Sequence, residues 1–117
     1  MKRHEFTLKP IPFMRIKNKQ KVIEMRLYDE KRQKLRVGDF IYFTNTETKE
    51  ILKVEILELT RYLTFTELYA AYTPKELGYL DGEEVAPSDM EEYYKKDDID
   101  RFGVLAIYIN VLNSEID

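Results

Sequence analysis

The sequence contains no cysteine and one histidine, His4. Without cysteine there are no disulfides, no thiol catalysis and no thiolate metal site, which fits a reducing compartment. A single histidine removes any His-based metal cluster, and so close to the N-terminus its plain reading is a solvated side chain. No apolar run approaches the length that spans a bilayer, and MKRHEFTLKP lacks the apolar core of a signal peptide, so the expected location is cytoplasmic, with no membrane partner. Thr64, Thr73 and Ser88 each stand three residues before a glutamate (Glu67, Glu76, Glu91), which is the spacing of helix caps, so a serine-hydrolase triad is not expected. Carboxylates around Asp81, Glu83 and Glu84 lack calcium-loop spacing; neither a metal nor a cofactor is expected.

What is present is enough for one domain spanning residues 1–117: 44% of the residues are apolar, and nine tyrosines and six phenylalanines can fill a core. The net charge of −3 conceals a division. Residues 1–39 carry 12 Lys/Arg against 5 Asp/Glu, and the remainder carries 7 against 17. A basic surface for phosphate-bearing ligands is compatible with that split, and so is mutual neutralisation of the two parts.

Along the chain, Phe6 and Leu8 read as a first strand ended by Lys9-Pro10. A turn of helix follows, with Pro12 at its first position and Phe13 and Ile16 on one face. After Tyr28 the segment DEKRQKLR is a loop or short helix, and Val37-Gly38-Asp39 is a turn into the strand FIYF. TNTETKE has the composition of a hairpin tip, and residues 51–57 form the returning strand with Leu52, Val54 and Ile56 on one face. The three capping spacings place helix starts after Thr64, Thr73 (with Pro74 at the first helical position and Gly78 ending the helix) and Ser88, the last opening a helix over 89–96. Residues 104–112 close the chain with a strand too apolar for a sheet edge. Strands, then helices, then a terminal strand argue for α+β, a small closed or nearly closed barrel with short helices packed around it.

The segment KVIEMRLY concentrates the chemistry. Read as a strand, it puts Glu24, Arg26 and Tyr28 on one face and Ile23, Met25 and Leu27 on the other, with Lys21 at its start. The alternative is an ordinary amphipathic strand with its charged face in water. If the trio lines a cleft, Arg26 can contact phosphate or a base edge bidentately, Lys21 supplies a point charge, and Glu24 orients either cation. As catalysts, Glu24 would be a general base and Lys21 an oxyanion stabiliser.

The order KVIEMRLYDEKRQKLRVGDFIYF, then helices, then EEYYKKDDIDRFGVLAIYI resembles the ASCH domain, a small PUA-like β-barrel, over nearly the whole chain. Its signature GxKxxExR is met at Lys21, Glu24 and Arg26, while Lys19 stands where glycine is expected. The resemblance implies a cleft beside the motif that binds RNA or a nucleotide-like ligand. Some relatives are amidohydrolases on acetylated cytidine that use a lysine, a threonine and a glutamate. Here the lysine corresponds to Lys21, Glu24 takes the threonine position, and the glutamate falls near Glu83 or Glu84. Others are ribonucleases, so a small hydrolase acting on a modified nucleoside or on RNA is the alternative function. A protein-interaction module using the acidic helix 89–96, with Glu91 and Glu92, is a further one.

Around the trio, Tyr28, Tyr69, Tyr72, Tyr79, Tyr93 and Tyr94 are candidates to stack an unpaired base, although most tyrosines are expected to be structural. On one helix Tyr93 and Tyr94 must point apart, so one packs on the barrel and the other reaches outward. Arg15, Lys17 and Lys19 are candidates for a phosphate track. The site set is therefore Lys21 and Glu24 for catalysis, if any, and Lys21, Glu24, Arg26, Tyr28, Arg15 and Tyr94 for ligand binding.

Overall fold

Alternation of apolar and polar residues builds a curled, mixed five-stranded sheet. The computed structural model describes residues 1–116, with side chains through Asn113. Its strands are β1 (Arg3–Leu8), β2 (Ile23–Leu27), β3 (Phe40–Asn45), β4 (Glu50–Tyr62) and β5 (Val104–Ile116), in the order β1-β3-β4-β5-β2. β1 runs parallel to β3; the other pairs are antiparallel. Among the described residues the four helices are α1 (Pro10–Lys17), α2 (Phe65–Ala71), α3 (Ser88–Glu91) and α4 (Lys96–Phe102), with a 3-10 turn at Arg32–Lys34. None of them is long and apolar enough to cross a membrane.

The period of two sorts the side chains into two cores, one on each face of the sheet. Phe6, Ile41, Phe43, Leu52, Val54, Leu105 and Ile107 fill the concave side with Phe13 and Ile16 of α1. Ile23, Met25, Leu27, Val104 and Ala106 cover the convex side with Phe65 and Leu68 of α2 and Ile99 of α4. β5 serves both cores, which is why it is apolar on both faces and lies inside the sheet. Register shifts between Lys53 and Val54 and between Ile56 and Glu58 bend the long β4–β5 ribbon, leaving Leu57 and Leu112 exposed.

Local chemistry fixes the connections. The β3–β4 hairpin turns on Asn45, whose side-chain Oδ1 accepts from the Glu47 and Thr48 amides, and on Lys49 at φ 66°. In the Val37–Asp39 turn, Asp39 is buried and its carboxylate accepts from the Lys2 and Arg36 amides and pairs with His4 Nε2 at 2.8 Å. His4 therefore pins β1 to the start of β3 and is not a solvated side chain.

Several helix boundaries depart from the sequence reading. α1 starts at Pro10, so Pro12 is its third residue. Thr64 caps α2 by accepting from the Glu67 amide. Thr73 and Glu76 complete a reciprocal capping box, yet residues 74–78 form only a turn: Gly78, at φ +98°, ends the helix before it has propagated. The helix expected over 89–96 is two pieces, because the chain is extended at Lys95 before α4 begins; Ser88 lies inside α3 rather than capping it.

The sheet does not close by backbone hydrogen bonds. β1 and β2 are its two edges, and the terminal strand β5 is interior. Across the seam Arg26 Nη2 of β2 donates to the Thr7 carbonyl of β1 at 2.9 Å, and Lys31 Nζ reaches the Glu5 carbonyl at 3.3 Å. Side chains bridge what the ladder leaves open.

Candidate functional site

Glu24 and Arg26 point to the concave side because their cross-strand partners, Ile107 and Leu105, belong to that core. A charged face in water is thereby excluded: Glu24 is 3% exposed and Lys21 7%. Glu24 Oε1 meets Lys21 Nζ at 2.9 Å, and its Oε2 meets Arg26 Nε at 2.8 Å. The Met25 amide adds a third donor at 3.1 Å. Burial alone would raise the Glu24 carboxyl, but the charges of Lys21 and then Arg26, with their hydrogen bonds, outweigh it and hold the pKa at about 2. Arg26 also lies over the rings of Phe6 and Phe43, 5.2 and 5.9 Å from their centroids.

This network is part of the lining of a cleft of about 550 Å³ along the β1–β2 seam, within the usual range of small-ligand pockets. Thr7, Leu8 and Lys9 come from β1 and its end; Lys21, Glu24, Met25 and Arg26 come from β2 and its approach. Tyr69, Tyr79, Tyr93 and Tyr94 also line it. Tyr94 stacks on Phe65 at 5.9 Å with planes 17° apart, and burial pushes its hydroxyl pKa up. Tyr93 is 59% exposed under Lys9, so of the pair Tyr94 packs and Tyr93 reaches outward. Tyr79 donates to Asp89 Oδ2 at 2.7 Å and contacts the Tyr69 hydroxyl at 2.8 Å, tying α2 and α3 across the cleft. Burial, then these two partners, pushes the Tyr79 pKa well up.

Of the expected site residues, Lys21, Glu24, Arg26, Arg15 and Tyr94 come together in the cleft, and Tyr28 does not. Tyr28 follows the last residue of β2 and packs on the concave core beneath Arg61. Lys17 pairs with Glu50, and neither it nor Lys19 lines the cleft, so Arg15 alone of that basic track does so. Arg15 forks onto Glu83 at 2.9 and 3.0 Å; Glu83 is itself exposed and outside the lining, as are Glu84, Glu91 and Glu92, and it meets the cleft through Arg15.

Gly78 was not singled out as a site residue. A Cβ there would lie 2.8 Å from Lys21 Cδ and 2.9 Å from Cγ, so the missing side chain lets this turn press Lys21 toward Glu24. Its sequence signal was a helix-ending glycine, read for its backbone alone. Lys19 adopts φ 63°, the left-handed conformation that glycine takes most easily. The position keeps the backbone shape the signature asks for, at some strain, and returns the chain toward Lys21. Among the described residues no group of three His, Asp or Glu side chains is placed to hold a metal ion.

The ASCH domain family model matches residues 6–113, nearly the whole chain. The chain belongs to the ASCH family. No curated protein matches it. Solved structures place the fold in the same company. The hypothetical protein PH0355 is 28% identical over 96% of this chain and 100% of its own, with a TM-score of 0.79. Protein PF0455 from Pyrococcus furiosus is 26% identical over 95% and 98%, with a TM-score of 0.70. ASCH from Zymomonas mobilis shares the fold at 13% identity over 97% of this chain and 73% of its own, with a TM-score of 0.69. This ASCH domain is thus the curled PUA-like α+β architecture, with the signature charges turned into the seam of the half-barrel.

Proposed function

We propose that this ASCH domain binds RNA or a nucleotide-like ligand in the seam cleft, with Lys21 and Arg26 as the anchoring cations. One observation carries the reading: a single buried carboxylate faces the buried Lys21 and the partly exposed Arg26 beside an open cleft. The trio carries two cations for one carboxylate, so one positive charge is left over at the floor, which suits an anionic ligand. Among the described residues Arg26 Nη1 has no hydrogen-bond acceptor, so the guanidinium keeps donors for a ligand after serving Glu24 and Thr7. The tyrosines of the cleft offer stacking faces for a base.

Binding is favoured over hydrolysis by Glu24. A carboxylate with a pKa of about 2 and donors on both oxygens is a poor general base near neutral pH.

The experiment is a titration with short single-stranded RNAs and mononucleotides at several salt concentrations. Wild type should bind with affinity that falls as salt rises, and Lys21→Met, which leaves a balanced Glu24–Arg26 pair, should keep its fold and lose about tenfold in affinity. The reading fails if no salt-sensitive binding is seen, or if the folded variant binds as well as wild type.

A further inference from the structure

Arg15 projects from α1 at the cleft lining and presents its fork to Glu83, Nη1 to Oε1 at 2.9 Å and Nη2 to Oε2 at 3.0 Å. Its Nη1 also donates to the Gly78 carbonyl at 3.1 Å. Gly78 in turn lies against the stem of Lys21, so Arg15 and Lys21 flank a single residue of the cleft wall. Glu83 belongs to the loop between that wall and α3; among the described residues, Arg15 and the Leu80 amide are the only hydrogen-bond partners of its carboxylate. The Leu80 amide and then Arg15 keep its carboxyl pKa below the ordinary value, so it is ionised whenever the pair forms.

Two parallel N–H groups that hold a carboxylate match two non-bridging oxygens of a phosphate equally well, and the phosphate brings more charge. Exposed ion pairs are weak, so a carboxylate on a surface loop is readily displaced. We propose that Arg15 forms a phosphate subsite of the cleft, selecting nucleotides with a terminal phosphate over the corresponding nucleosides, and that Glu83 occupies this subsite as a carboxylate stand-in until the phosphate displaces it. The inference rests on the nucleotide reading of the cleft and adds to it which part of the ligand Arg15 takes and what competes for it. It also separates two jobs: Lys21 and Arg26 at the floor hold the ligand, and Arg15 and Glu83 decide whether a phosphate is required.

The test is calorimetric titration, at fixed low salt, of the common ribonucleosides and their 5′-monophosphates into wild type, Glu83→Gln and Arg15→Lys, with thermal melts to verify folding. Wild type should prefer the monophosphate by about tenfold. Glu83→Gln removes the competitor and should widen that ratio about two- to five-fold. Arg15→Lys keeps a charge but loses the fork and should narrow it. Equal affinity of wild type for nucleoside and monophosphate overturns the inference, as does a ratio that Glu83→Gln leaves unchanged, a result that decides the matter even if Arg15→Lys does not fold. Binding with an unchanged ratio removes only the Arg15 subsite; absence of binding by nucleosides and monophosphates alike also overturns the inference, and the RNA titration then decides whether the cleft reading falls with it.

Discussion

Replacing Glu24 with glutamine should convert a pH-dependent stabilisation into a constant one. The native carboxyl has a pKa of about 2 against an ordinary value of 4.5. At roughly 1.4 kcal/mol per pH unit that difference corresponds to about 3 kcal/mol. Because the folded state lowers the pKa, this stability is fully present above pH 4.5 and is lost as pH falls from there toward about 2. Glutamine does not titrate, and at neutral pH it leaves the buried Lys21 and its neighbour Arg26 without a counter-charge. Wild type should therefore exceed Glu24→Gln by about 3 kcal/mol at pH 7, roughly 10 °C in melting temperature for a chain of this size. The gap should close by a similar amount between pH 5 and pH 2. Urea unfolding followed by circular dichroism at intervals from pH 7 to pH 2.5 measures both proteins in the same buffers. A gap that stays constant across that range, or one below about 1 kcal/mol at pH 7, refutes the argument that the two cations hold Glu24 ionised.

Three further substitutions probe the supports of the site. Gly78→Ala should cost about 1–3 kcal/mol and weaken ligand binding, since its Cβ would meet the Lys21 stem at 2.8 Å; a melt and affinity equal to wild type count against the close approach. Lys19→Gly exchanges left-handed strain for glycine's larger unfolded-state entropy, so the melting temperature should stay level or rise by up to about 4 °C, and a clear fall counts against strain at this position. Asp39→Ala leaves the Lys2 and Arg36 amides and His4 without their acceptor and should cost about 2–3 kcal/mol in chemical denaturation; a cost under about 0.5 kcal/mol removes Asp39 as the clasp between β1 and β3.

The parts of the fold legible in the sequence are those set by neighbours along the chain. Alternation in Leu52, Val54 and Ile56 defined the buried face of β4, and the doubly apolar 104–112 segment marked β5 as interior. Capping chemistry was read correctly at Thr64, where the helix that follows packs Phe65 and Leu68 into the convex core. At Thr73 the same spacing produced its hydrogen bonds without a helix, because capping satisfies amides but cannot supply the length a helix needs. Tyr28 shows the limit of the period-two argument. Its parity matched Glu24 and Arg26 and it does pack on the same concave core, but it sits beyond the end of β2 near Arg61, and parity gives a face of the sheet without saying where along that face the cleft lies.

By itself the sequence placed Lys21, Glu24 and Arg26 together at the start of a strand and indicated α+β order, through residue order and local periodicity, while membership of the ASCH family came from the likeness of its motifs and is shown by the family-model match. Only the tertiary structure decided that Glu24 and Arg26 face the concave core, that Arg26 spans the open seam to Thr7, that Gly78 seats Lys21, and that Arg15 takes Glu83 rather than Glu84. Those contacts join residues 19 to 68 positions apart in the chain, and their existence depends on sheet order, a property that no local pattern encodes.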